Sequence, residues 1–122
     1  MMQTPNELLP DGLQMDLLWT NASLTSAFNA QTISLDFSKY KAIILVTKYG
    51  TYHDWYYTDI ITEKEKEILI QGLFNSEDGR RLVVLYNNKL QIGGGEYRST
   101  YTSVYDKQSD DYIIPYRIYG VR

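Results

Sequence analysis

Cysteine is absent from this 122-residue chain, histidine occurs once and proline three times. Without cysteine there is no disulfide, no thiolate nucleophile and no usual zinc framework. The single histidine, His53, has no second imidazole to complete a metal set, and it would have to serve as base for every candidate serine. No GxSxG elbow is present. Basic charge is short as well: 12 Lys and Arg stand against 15 Asp and Glu, a formal net charge of −3. Nothing here attracts a phosphate backbone, so nucleic acid is not an expected partner. Apolar runs fall well short of a membrane span, so no membrane insertion is expected. Met1 to Glu7 shows neither a basic region nor an apolar segment. The expectation is a protein made in the cytoplasm without a signal peptide, reaching a cell exterior only by assembly or lysis.

Tyrosine is the residue in excess, 12 copies against 3 Phe and 2 Trp. It suits half-buried sheet faces and wet interfaces better than deep cores. Apolar residues make up 43% of the chain, enough to fold one domain of this length around one core.

Pro5, Pro10 and the Asp11 Gly12 pair make residues 1–12 an irregular lead-in to a domain spanning 13–122. From Leu13 the alternation predicts a half-buried strand with Leu13, Met15, Leu17 and Trp19 on one face, broken only by Leu18. Trp19 reads as core. Gln31 to Leu35 is a short strand, and Lys41 to Tyr49, apolar on both pleat faces, is a strand buried on both sides. Tyr52 to Ile61 returns after a bend at Gly50. Thr62 to Lys66 has capping-box spacing but reads better as a charged loop. A strand carrying Ile68, Ile70 and Phe74 follows, then a turn over Ser76 to Arg80. Leu82 to Tyr86 and Leu90 to Ile92 flank Asn87 Asn88, a pair that tolerates the positive φ of a tight hairpin.

Gly93 Gly94 Gly95 lacks the spacing of a phosphate cradle and reads as a bend or bulge. Tyr97, Tyr101 and Tyr105 recur on one side of the next segment, and Asp106 to Asp111 is a polar loop. The closing strand, Tyr112 to Val121, puts Ile114, Tyr116 and Ile118 on the expected core face. Tyr119 or Arg117 is expected to meet the surface or another subunit, and burial of the opposite face would mean a register shifted by one. Pro115 places this strand at a sheet edge or interrupts it. Eight or nine short strands with regular turn signals predict an all-β, antiparallel, jelly-roll-like β-sandwich.

Chemistry is scarce. Asp54 with Asp59, or Asp110 with Asp111, supply carboxylates for a small glycan hydrolase, although turns and solvated faces also account for them. Asp36 to Ser38 and Asp106 to Asp111 hold oxygen ligands without the calcium-loop pattern. No cofactor, metal or catalytic set is expected. The remaining candidates are Tyr52, Asp54, Trp55, Tyr56 and Tyr57. Aromatic faces can stack on sugar rings while hydroxyls and a carboxylate bind sugar OH groups; sheet packing and subunit contact are the competing roles.

Three blocks resemble a family of small structural proteins and C-terminal head domains encoded in tail modules of phages and prophages of Gram-positive bacteria. They are Leu18 Trp19 Thr20 Asn21; Ser26 Ala27 Phe28 with Gln31 to Asp36; and Ile114 to Arg122. The resemblance implies a β-sandwich in a tail fibre or baseplate of the virion. It implies a homo-oligomer, a trimer, in contact with other tail proteins and with a host cell-surface glycan. A purely structural adaptor without ligand fits the same setting. The blocks carry no catalytic residues.

Overall fold

The computed structural model describes residues 14–74, 76–99 and 107–122, with backbone only for Lys107 and Gln108. Ten strands and no helix occur among them: β1 Met15–Thr20, β2 Gln31–Ile33, β3 Ala42–Gly50, β4 His53–Ile61, β5 Glu67–Phe74, β6 Glu77–Leu85, β7 Leu90–Ile92, β8 Glu96–Ser99, β9 Lys107–Gln108 and β10 Tyr112–Val121. All pairings are antiparallel. The first sheet has the order β1-β10-β3-β4. In the second, β5 and β6 form a long hairpin, and β6 pairs with β7 over one half and β8 over the other. β2 and β9 lie outside β7 and β8 respectively. Phe37, Ile43, Leu45, Ile70, Val83 and Ile118 pack between the sheets, making a small β-sandwich. No helix among the described residues is long and apolar enough to cross a membrane.

Ten strands exceed the eight or nine expected because β9 forms inside the segment read as a polar loop. The lead-in 1–12, Leu13, Tyr101 and Tyr105 lie outside the described residues. The turn expected over Ser76 to Arg80 is a correction: β6 begins at Glu77. Glu-Asp-Gly-Arg has turn composition, but Asp78 and Arg80 sit directly opposite Arg98 and Glu96 on β8 and pair with them in charge. Gly79 between them is buried, and a Cβ there would meet Tyr112 at 3.0 Å. The 62–66 segment is a loop, with Glu65 left-handed at φ 60°. The Asn87 Asn88 hairpin closes through Tyr86 N–H to Lys89 O (2.8 Å) without positive φ at either Asn. Asn87 is held instead by Lys64 Nζ on its side chain (2.6 Å) and by Phe37 N–H on its carbonyl (2.7 Å). At the glycine run, a Cβ on Gly95 would lie 2.0 Å from Ser109 O, so the bend requires glycine.

Two expected faces are corrected by bulges, each inserting one residue and reversing the inward parity. On β1, Leu17 pairs with Tyr119 but Trp19 with Ile118. Leu18 is the extra residue, so Leu17 faces outward, 39% exposed, while the half-buried Trp19 packs edge-on against Phe28. On β10, Pro115 pairs with Thr47 but Arg117 with Val46, leaving Tyr116 as the extra residue. Ile113 and Pro115 therefore line the inter-sheet space before the bulge, and Ile118, paired with Leu45, does so after it. Ile114, next to Lys48 in the ladder, is fully buried in the core cluster as expected, whereas Tyr116 is half-buried against Tyr56 rather than in the core. β10 is central, so Pro115 interrupts the ladder instead of marking an edge.

Arg81 is the largest of the fully buried side chains, 1% exposed, in the inward phase with Val83 and Leu85. Its guanidinium donates to four carbonyls: Tyr112 O (3.1 Å), Ile113 O (2.8 Å), Gly93 O (2.9 Å) and Asp110 O (3.0 Å). Asp110 Oδ1 is 3.8 Å away, and burial pulls the Arg81 pKa down to about 10. Those bonds cross from β6 to the bend after β7 and to the start of β10. Arg81→Ala orphans several buried carbonyls at once and should cost about 3 kcal/mol or more in urea unfolding. A loss below about 1 kcal/mol would show that water replaces the guanidinium without penalty.

Candidate functional site

The β3–β4 hairpin reverses through Thr51 and Tyr52 with Gly50 paired to His53. A Cβ on Gly50 would lie 2.9 Å from His53 Nδ1, so the imidazole folds over the turn only because the side chain is missing there. Thr51 N–H donates to Asp111 O (3.0 Å), tying the turn to the segment entering β10. Lys48, 4% exposed, donates to Thr51 O (3.1 Å) and Leu24 O (3.0 Å), which pins the turn and the β1–β2 loop together. A cleft of about 120 Å³ remains, lined by Gly50, Thr51, Tyr52, His53, Asp111 and Tyr112.

Beneath it lies an aromatic hub. Tyr49, fully buried, meets Phe74 in a stacked pair at 5.5 Å and meets His53 (5.2 Å) and Tyr112 (5.5 Å) edge-on. Tyr112 stacks on Tyr97 at 4.6 Å, and Tyr97 OH donates to Glu77 Oε2 (3.0 Å). The other Glu77 oxygen is 3.8 Å from His53 Nε2. The Tyr49 hydroxyl has no hydrogen-bond partner among the described residues, and burial, then the nearby Glu77 charge, pushes its pKa far above the ordinary phenol range. Tyr112 is raised for the same two reasons. These phenols stay neutral, and the cluster is a rigid platform for what stands on the turn.

The five sequence candidates do not share one surface. β4 carries one more residue than β3 between the pairs Lys48–Tyr56 and Gly50–His53, and this bulge splits them. Tyr52 projects from the turn, 91% exposed, and Trp55 is 53% exposed with its ring edge on Phe74 (5.7 Å). Asp54 lies on the outer face, 3.9 Å from Lys48 Nζ. Tyr56 is on that face too, against Tyr116 at 5.7 Å, and Arg117 covers Tyr116 at 4.5 Å. Tyr57 turns the other way and donates its hydroxyl to Leu73 O. Tyr52 and Trp55 are thus the exposed aromatics at the tip, with His53, Phe74 and Tyr112 supporting them.

The carboxylate pairs are also separated. Asp54 reaches Lys48 on the outer face, whereas Asp59 pairs opposite Leu45 on the inner one. Asp110 Oδ1 is occupied by Gly95 N–H (2.9 Å), and Asp111 stands at the cleft. No metal-binding group of three His, Cys, Asp or Glu occurs among the described residues. Sequence reading passed over Glu77, Arg81 and Tyr112 as parts of this region and named Asp111 only as half of a carboxylate pair with Asp110. Arg81 alone carried a signal, a charge in the apolar phase of β6.

Burial raises the pKa of Asp59 above the ordinary carboxylate value. A raised carboxylate loses stability as pH climbs through its unfolded value to its folded one. Asp59→Asn should therefore raise the thermal midpoint at pH 7, and the gain should vanish below about pH 3, where both forms are neutral. An equal gain at both pH values would point to a packing effect instead.

Comparison of the chain with protein-family models, with curated proteins and with solved structures finds no match.

Proposed function

We propose that the chain is a structural protein of a phage or prophage tail, in a fibre or baseplate, that assembles as a homo-oligomer and binds host surface glycan at the β3–β4 tip. The observation that carries the binding role is the exposure of Tyr52 and Trp55 on a turn fixed from beneath by Lys48 and the Tyr49 hub. Large aromatic faces displayed on a rigid support lose little entropy when a sugar ring stacks on them. Asp111 and His53 line the adjoining cleft and can accept or donate to sugar hydroxyls. The sequence blocks at Leu18 to Asn21 and Ile114 to Arg122 support the virion setting. Weak sugar contacts gain from several copies on one particle.

One row on the outer face of the first sheet favours assembly, with or without a ligand. Leu17, Tyr119, Ile44 and Ile60 lie side by side across β1, β10, β3 and β4. Ile60 is 67% exposed. A symmetry-related copy would cover Leu17 and Ile60, the exposed ends of the row; Tyr119 between them, expected at the surface or a subunit contact, is already buried within the chain and its hydroxyl accepts from Arg117 Nη1 (3.3 Å).

Sedimentation velocity at micromolar concentration should give an oligomer, and Ile60→Asp should reduce it to monomer with an unchanged circular dichroism spectrum. A monomeric unaltered chain would refute the assembly. Binding to cell-wall polysaccharide from Gram-positive cells should fall about thirtyfold in the Tyr52→Ala, Trp55→Ala double variant, each aromatic face contributing about 1 kcal/mol. A glycan array that stays blank while the oligomer persists would leave the structural adaptor as the function.

A further inference from the structure

Among the described residues the two sheets have neighbouring edges without a further strand, β4 in the first and β5 in the second. Between them opens a cleft of about 420 Å³ lined by Tyr57, Gln71, Gly72, Leu73, Asp78 and Arg98. That volume falls in the range of about 300–1,000 Å³ typical of small-ligand sites. Gly72 shapes it: a Cβ there would lie 2.6 Å from Tyr57 Cε2, so the phenol ring rests flat on the β5 backbone. Leu73, 60% exposed, adds an apolar wall.

Asp78 is the feature that packing does not explain. It is 2% exposed, and its Oδ2 accepts from Arg98 Nε (3.3 Å). Its Oδ1 is buried and has no hydrogen-bond partner among the described residues. An unsatisfied buried carboxylate oxygen is costly, and native structures keep such groups where a ligand, ion or water completes them. The oxygen requires a donor. Arg98 already balances the charge, so a cation is not demanded and an anion would meet the carboxylate. A carboxylate acceptor beside an aromatic-aliphatic wall matches a ring with hydroxyls and one apolar face.

We propose that this edge cleft is a second binding site, taking a neutral hexopyranose. One sugar hydroxyl donates to Asp78 Oδ1 as the Arg98 side chain moves aside while keeping Oδ2, and the apolar ring face lies on Tyr57 and Leu73. The site does not depend on ligand binding at the β3–β4 tip.

Titrating the ¹⁵N-labelled full chain with D-glucose, D-galactose, N-acetyl-D-glucosamine and L-rhamnose tests it. At least one sugar should shift the amides of Gln71, Gly72 and Asp78 with millimolar affinity. Asp78→Asn should weaken that binding about tenfold or more, the loss expected for a charge-assisted hydrogen bond. Should Asp78→Asn fold poorly, Leu73→Glu changes only an exposed wall and should weaken binding likewise. Tyr52→Ala should leave these shifts intact, so a failed tip and a failed edge cleft are told apart. Absence of shifts at these amides with all four sugars at about 100 mM, or shifts indifferent to both Asp78→Asn and Leu73→Glu, would overturn the proposal.

Discussion

Arg81 holds together the parts of the sandwich that ordinary sheet pairing does not reach. Its guanidinium sits in the apolar layer and bonds four carbonyls drawn from the glycine bend, the 110–111 segment and the first two residues of β10. Ile113 illustrates the dependence. It occupies the left-handed region at φ 53°, a rare conformation for a β-branched residue, and its carbonyl accepts the shortest of the four bonds. The same bonds place Asp111, which receives the Thr51 amide, and Tyr112, whose ring closes the aromatic hub. A buried cation in one sheet thereby sets the geometry of a turn in the other.

Three bulges divide the first sheet into faces with different duties. Leu18 and Tyr116 invert the phase of β1 and β10, and the extra residue on β4 separates Asp54 from Trp55. Because of them the inner face stays continuous while the outer face gathers Leu17, Tyr119, Ile44 and Ile60 into one row. Tyr56, Tyr116 and Arg117 form a neighbouring stack on that side. Tyrosine excess follows from this plan. Most of the rings described lie where a surface is partly wet, at the outer stack and the edge cleft, while Tyr49 joins Phe28, Phe37 and the Ile, Leu and Val residues of the buried core.

The architecture was legible because alternation and β-branched runs are local signals. Lys41 to Tyr49, for example, reads as a doubly buried strand, and β3 is one. What escaped was non-local. Leu18 looked like noise in an otherwise regular pattern and is a bulge. Glu77 to Arg80 had the composition of a turn, yet its charges are answered by Glu96 and Arg98 from a strand that sequence order places far away. The five candidates from Tyr52 to Tyr57 were adjacent in sequence, and adjacency on a strand means alternate faces. Asp78 offered no sign at all, since its burial comes from tertiary neighbours.

The central position of β10 has a consequence for how this chain reaches its folded state. Residues 15 and 121 are paired, as are 42 and 121, so the first sheet is built on contacts spanning most of the described sequence. Until residues 112–121 arrive, β1 and β3 have no common partner and each presents a bare apolar edge. Such long loop closures make folding slow, in the millisecond-to-second regime of non-local β topologies, and leave the incomplete sheet open to pairing with other chains. Sticky edges during synthesis are a hazard that β10 removes by inserting between them.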